Sequence, residues 1–316
     1  MPAERRSRLR LALQVLSAAV LIGLAALLFE NVQWREFGAA LARASWPLVL
    51  AAAALNFVNL ACKTARWRVL LGGRVAYWRL YHYLVTSYAA SAVLPARAGE
   101  ALRVVLLRRR DGLPLSDAVG PLVVEKLFEV LGLLVIVLPL PFVMPLPHWA
   151  RLSIEVIAVG GLSSLVVAVV LARVLGRAES SRWHALASGL SSMRSPMPIA
   201  LAALYSVLAY AVDAAMVWLV LRALSIHVPW ATPALVLLGG NLAIAVPSTP
   251  GQLGALEAGI IAGLSVVGVP LSDALAFGLV YHLMQLLPVV LVGATGLRLV
   301  ADVKDELATP AEASSR

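Results

Sequence analysis

Six stretches of this 316-residue chain are apolar over the length a helix needs to cross a bilayer: 11–29, 46–62, 118–140, 152–175, 199–221 and 274–297. A helix rising 1.5 Å per residue covers a hydrocarbon core of about 30 Å with about 20 such residues. Two further pairs, 80–94 with 99–107 and 233–246 with 252–267, are shorter and are interrupted by Pro or Gly. Charged residues make up 14% of the chain and hydrophobic ones 61%, against roughly 25% charged in an ordinary soluble protein. That leaves too little polar surface for a soluble globule, and it excludes a disordered chain and a coiled coil as well.

The run 11–29 carries no charge and follows Arg5, Arg6, Arg8 and Arg10. It is longer than the roughly 7–15-residue core of a signal peptide, and Glu30-Asn31 makes a poor cleavage site, so it reads as a retained first helix. The single cysteine, Cys62, excludes an internal disulfide and any CxxC motif. The formal charge of +9 comes from a basic set in which 23 of 26 residues are Arg, most of them beside apolar stretches. Anionic headgroups attract such residues, so the charge reads as topology and lipid contact, and no nucleic-acid partner is expected.

Segment 99–107 contains Glu100 and Arg103 and runs into Arg108, Arg109 and Arg110; it is too short and too charged to cross. If each short pair dips in and returns to the same side, six full spans remain and both termini share one face. That face then holds 21 of the 26 basic residues, the other holds Arg35, Arg43, Arg151 and Arg222, and Lys126 lies inside a span. The positive-inside rule makes the first face, and with it both termini, cytoplasmic.

GLPLSDAV at 112–119 recurs as GVPLSDAL at 268–275, six of eight residues identical at an offset of 156. Upstream, Pro95 aligns with Pro247 and Trp78 with Trp230 at an offset of 152. Pro, Ser and Asp are ordinary helix-start residues, but here the likeness continues across a Pro-broken hairpin. The predicted fold is therefore an all-α integral membrane protein with about six full transmembrane helices and two re-entrant hairpins in inverted-topology repeats. A single membrane domain, 1–316, would contain repeat 1 at 46–141, repeat 2 at 197–300 and a polar tail at 301–316. Such repeats with broken helices place ligands near the bilayer midplane.

Several polar residues fall at that depth. Glu125 and Glu129 are roughly 12 Å and 18 Å along the helix from Asp117, with Lys126 about 100° around it. Isolated charges there cost at least ~2.5 kcal/mol each, so they are expected either to line a central cavity or to form an ion-pair network locking helices. The matching positions of the second repeat are Tyr281, His282 and Gln285. Asp213 is mid-span with no local partner, and Lys126 is one candidate for it. Asn56, Asn59, Lys63 and Asn241 also fall within apolar segments, where Asn commonly joins helices.

The first hairpin turns through PARAGEALR at 95–103. Pro95 and Gly99 break the helix, Gly99 leaves backbone N–H groups open to an anion, and Arg97 and Arg103 suit a bidentate grip on a lipid phosphate. The competing reading is a basic loop serving topology alone. The second turn, PSTPGQLGALE at 247–257, supplies Pro247, Pro250, Gly251, Gly254 and Glu257 without an Arg, and reads as a hinge or gate.

With these motifs in order, the chain resembles, over roughly 51–297, the membrane domain of the bacterial lysylphosphatidylglycerol synthetase/flippase family. The resemblance rests on PARAGEALR, on VVEKLFEV at 123–130 and on PSTPGQLGALEAG at 247–259. The family pattern carries over to Pro95, Arg97, Gly99 and Glu100, to Glu125 and Lys126, and to Pro250, Gly251, Gly254 and Glu257. It commonly has a second glycine where this chain has Gln252. The resemblance implies a flippase-like fold in the bacterial cytoplasmic (inner) membrane that moves or binds a polar-headed lipid, anionic, aminoacylated or otherwise modified. Nineteen residues follow Leu297, so the resemblance implies a stand-alone membrane domain without the aminoacyl-transferase domain.

The leading expectation is a lipid flippase or lipid-binding transporter. An intramembrane transferase using Glu125 and Glu129 as acid and base is the alternative. Against it, the sequence has no P-loop, no Asp-x-Asp and no HExxH. A scaffold subunit for a separate lipid-modifying enzyme is a third reading. No metal or organic cofactor is expected, and the oligomeric state is not legible.

Overall fold

The computed structural model describes residues 34–93, 98–175, 191–245 and 250–308. Among them the regular elements are all helical. In chain order they are α1 (Trp34–Ala42), α2 (Trp46–Leu70), α3 (Tyr77–Val93), α4 (Ala98–Asp111), α5 (Leu115–Val137), α6 (Leu140–Val143), α7 (His148–Leu175), α8 (Pro196–Ala223), α9 (Thr232–Ala245), α10 (Ala255–Ser265) and α11 (Leu271–Ala308).

Four stretches are long and apolar enough to cross a membrane: Trp46–Leu70, Leu115–Val143, His148–Val174 and Pro196–Ala223. They correspond to four of the six expected spans. The expected first span, 11–29, lies outside the described residues, and the sixth falls within α11, whose apolar stretch is Leu271–Leu287. Proline near the first turn of α2 and α8, where its missing N–H costs nothing, sets their starts.

One boundary differs from expectation in a way that matters. The second span was expected over 46–62, with Lys63 at its end and the basic residues from Lys63 to Arg79 counted on the cytoplasmic face, but α2 continues to Leu70. Lys and Arg are good helix formers, and nothing breaks the helix before Gly72, whose φ of +65° lets the Gly73 N–H return to the Arg68 carbonyl at 2.9 Å. Arg66 and Trp67 are thereby carried into the interior. Arg66 and the equally buried Arg103 leave the set of basic residues that could report topology.

Helices α2 and α8 pack antiparallel along their length. The Ser45 N–H donates to the Ala223 carbonyl at 2.8 Å at one end, Asn59 Nδ2 to the Ala209 carbonyl at 2.7 Å between, and Arg66 Nη1 to Ser206 Oγ at 3.1 Å toward the other end. The main apolar core, including Val217, Leu235 and Phe277, joins α2, α5, α8, α9, α10 and α11. A second core, around Trp67, Leu84 and Leu106, holds α3 and α4 to the end of α2. In contrast α7 presents Val156, Val159 and Val166 outward, a contiguous apolar face suited to lipid tails.

The two short pairs are tight hairpins. A Cβ at Gly99 would lie 1.8 Å from the Ser87 carbonyl oxygen, so α4 meets α3 backbone to backbone. In the second pair a Cβ at Gly239 would lie 2.1 Å from the Gly259 oxygen, and one at Gly263 2.7 Å from the Leu235 oxygen. Glycine is what permits both approaches.

Candidate functional site

Charged side chains from α2, α4 and α5 converge in one network. Glu125 sits between two guanidinium groups: its Oε1 is 3.0 Å from Arg66 Nη2 and its Oε2 is 2.9 Å from Arg103 Nη1. Arg66 Nη2 also reaches Glu129 Oε1 at 3.0 Å. Lys126 Nζ lies 3.1 Å from Glu129 Oε2 and 2.9 Å from Glu100 Oε1. Arg66, Arg103 and Lys126 thus balance Glu100, Glu125 and Glu129, which is how charges at this depth become tolerable.

Exposure is graded along the network. The Arg66 and Glu125 side chains are 1% exposed, whereas Lys126 and Glu100 are 42% and 37% exposed. Arg103 belongs to the sealed end: besides Glu125 it donates from Nε to Ser87 Oγ at 3.1 Å and stacks over Trp67 and Tyr88. Expected as a phosphate-gripping residue, it is engaged with protein partners in this arrangement. Gly99 is spent on the close approach of α4 to α3, and Glu100 holds Lys126. Pro95 and Arg97 lie outside the described residues.

Asp213 does not pair with Lys126. Its partner is Lys63, with Nζ 3.9 Å from Oδ2, because α2 runs about two turns beyond its expected end along α8. Nearby, the Tyr210 hydroxyl donates to Asn241 Oδ1 at 3.0 Å, and Asn241 Nδ2 donates to the Leu237 carbonyl at 2.8 Å. Asn56 Nδ2 donates to the Gln285 carbonyl at 3.1 Å, and Tyr281 is buried and stacked on Phe277. Asn56, Asn59 and Asn241 thus join helices.

Between α10 and α11, His282 Nδ1 is 2.5 Å from Glu257 Oε1. Glu257 Oε2 accepts the Gly254 N–H at 2.7 Å, where Gly254, at φ +81°, caps α10. Pro250 opens a 3₁₀ turn through Gln252 in which Gly251 (φ +64°) and Gln252 (φ +62°) are both left-handed. The left-handed backbone at Gln252 is one that glycine adopts without steric cost. A Cβ at Gly251 would lie 3.3 Å from the Ala92 oxygen, so the second turn meets the end of α3. Pro247 lies outside the described residues.

The expected central residues therefore divide between two charged groups rather than touching in one ring: Glu125, Lys126 and Glu129 in the first, His282 in the second, with Lys63–Asp213 a separate pair. A cavity of about 520 Å³ lined by Val104, Val105, Arg108, Arg109, Gly112, Leu113 and Pro114 contains no member of either group. Among the described residues no group of three or more His, Cys, Asp or Glu side chains is arranged to hold a metal ion. Sequence reasoning missed Arg66 as a member of the site. The signal was present in Asn56, Asn59, Lys63 and Arg66, a polar stripe at three- and four-residue spacing that runs past the apolar segment without a breaker.

The model of one protein family, described as the lysylphosphatidylglycerol synthase TM region, matches residues 14–293 of the chain. Comparison with curated proteins gives no match.

Proposed function

From the premise that the chain belongs to the lysylphosphatidylglycerol synthase TM-region family and has a membrane-lipid-related role, we propose that it is a flippase-like carrier of a polar-headed lipid. In this reading the units 46–141 and 197–300 are inverted repeats, each a span, a re-entrant hairpin and a second span. They sit in a bacterial inner membrane with both termini cytoplasmic. The antiparallel packing of α2 on α8, the opening helices of the two units, supports that plan.

The observation that carries the proposal is the graded network. An ammonium group exposed as far as Lys126, about midway along a spanning helix, is costly against lipid tails and suits a water-filled cavity. A lipid headgroup entering there exchanges its phosphate for Glu100 at Lys126, while Arg66, Arg103 and Glu125 hold the wall rigid. Arg97, at the turn of the first hairpin, is the further phosphate ligand expected from its sequence.

The lipid is anionic, aminoacylated or similarly modified, and a separate lipid-modifying enzyme would supply it. The chain itself is read as a carrier and not an enzyme, because Glu125, the acid or base a transferase would need, is sealed between two guanidinium groups. Reconstitution tests this: purified protein in vesicles should move labelled phosphatidylglycerol across the bilayer without changing its mass, and Lys126→Met should slow that movement at least about tenfold while the protein stays folded. A new lipid species, or full transport by Lys126→Met, would overturn it.

A further inference from the structure

The cavity of about 520 Å³ at the turn between α4 and α5 lies apart from both charged groups, and its lining is mixed. Val104, Val105, Leu113 and Pro114 give it an apolar wall, and Arg108 and Arg109 give it positive charge. Its volume falls within the roughly 300–1,000 Å³ of small-molecule sites. Residues 104, 105, 108 and 109 share one face of α4, turned away from the buried Arg103, Leu106 and Leu107. The cavity therefore opens outward from the bundle.

The turn does not need its arginines. The likeness of 112–119 to 268–275 extends to the backbone: Gly112 and Gly268 are both left-handed, at φ +67° and +73°, and in each case a proline directly precedes the next helix. The residues that the same offset matches with Arg108, Arg109 and Arg110 are Leu264, Ser265 and Val266. One turn is thus made twice, once with three basic residues before it and once with none. The two carboxylates nearest in sequence are committed to other arginines. Asp111 Oδ1 lies 2.6 Å from Arg79 Nη1, and Asp117 pairs with Arg74. Arg109 has interactions of its own, which leaves the exposed Arg108 as the cation the cavity offers.

Beside Pro114 begins an apolar row. Leu115, Val119 and Val123, four residues apart on α5, are 53%, 38% and 56% exposed, and at that spacing they follow one another along the helix. A cation beside an apolar wall, with an apolar track leading away along a spanning helix, matches an anionic head carrying a hydrocarbon tail. We propose that the cavity binds the glycerophosphate headgroup of an anionic phospholipid, with the phosphate at Arg108 and one acyl chain along Leu115, Val119 and Val123. This lipid is resident at the turn and distinct from the one carried past Lys126. With the sidedness of the carrier reading it belongs to the cytoplasmic leaflet, whose anionic lipids attract basic segments. The inference takes only that leaflet from the carrier reading and needs no transport.

The test uses the whole chain with Cys62→Ala and Val105→Cys, which puts a thiol in the cavity wall. Its rate of reaction with a water-soluble maleimide is read in phosphatidylcholine nanodiscs with and without phosphatidylglycerol. Phosphatidylglycerol should slow labelling about tenfold, the protection expected when a site is occupied some nine parts in ten. Arg108→Gln should abolish the slowing, and Lys126→Met, which disables the carrier site, should leave it in place. Ala76→Cys, exposed at the start of α3, reports any effect of membrane charge on thiols in general and should not slow. Soluble glycerol phosphate added to phosphatidylcholine discs should protect little, because it lacks the tail. Size-exclusion chromatography verifies folding of each variant.

Equal rates with and without phosphatidylglycerol would overturn the site, as would slowing that persists in Arg108→Gln or is shared by Ala76→Cys. Equal protection by glycerol phosphate would make the ligand a free anion instead of a lipid. Protection lost in Lys126→Met would mean that the carrier site alone binds. Translocation of labelled phosphatidylglycerol is read separately in vesicles: wild-type protein that moves no lipid would defeat the carrier reading, and the labelling would still decide the resident site.

Discussion

Arg66 and Glu125 meet at 3.0 Å with both side chains sealed from solvent, joining α2 to α5 in the interior of the bundle. Removing one member of a buried pair leaves the other uncompensated, at a cost of about 3–5 kcal/mol. Arg66→Met should therefore lower the thermal midpoint of the detergent-solubilised protein markedly. Arg66→Met combined with Glu129→Gln leaves Glu125–Arg103 and Glu100–Lys126 as complete pairs and should recover most of the loss. A double variant as unstable as the single one would show that Arg66 acts through packing rather than charge.

The backbone contact inside the second hairpin predicts a steep size dependence. Gly239→Ala and Gly259→Ala each place a methyl group 2.1–2.3 Å from a facing carbonyl oxygen, so α9 and α10 must separate, at about 1–3 kcal/mol. Gly240→Ala, whose nearest neighbour is the Leu256 Cδ1 at 3.3 Å, meets only a movable side-chain end. Thermal unfolding in detergent should rank Gly240→Ala close to wild type and the other two well below it.

Much of this architecture was legible in the sequence. The apolar runs located four spans, and the Pro- and Gly-broken segments located both hairpins. The offset of 156 matched Lys126 with His282, and in the structure each of the two has an acidic partner on the preceding short helix. What was not legible came from ends and partners. Apolar length marked where α2 ceases to be hydrophobic, not where it ceases to be helical, so Arg66 was counted with the cytoplasmic basic residues rather than with the site. Arg103 was set apart from Arg108 to Arg110 as a phosphate ligand, and its protein partner was missed, because an arginine's fate depends on whether a carboxylate arrives from another helix. Glu125 is twenty-two residues from Arg103 in the chain, and only the fold brings the two together.

The proposed sidedness can be tested on the basic residues that remain once the buried arginines are set aside. Leu107 is fully buried, so the adjacent exposed Arg108 is the informative position on the first hairpin. In a Cys62→Ala background, Arg108→Cys should react with a membrane-impermeant reagent only from the cytoplasmic side, and His148→Cys only from the opposite side. Reaction of Arg108→Cys from outside would mean that α3 and α4 do not form a re-entrant hairpin.

The Lys63–Asp213 pair offers the sharpest separation of structure from transport. It lies where α2 crosses α8, its charged atoms are 3.9 Å apart, and both side chains keep some exposure. A pair this loose contributes less than Arg66–Glu125, so Asp213→Asn should cost less stability than Arg66→Met. Exchanging the charges, with Lys63→Asp and Asp213→Lys together, preserves their mutual attraction and should keep the protein close to wild-type stability. A headgroup passing between the units would meet the opposite sign at each position, and its translocation should fall about tenfold or more, the consequence of a difference near 1.4 kcal/mol. Thermal unfolding and vesicle translocation on the exchanged variant decide the point. Stability and transport both retained would make the pair a tether between units; stability retained with transport lost would place it on the path of the lipid.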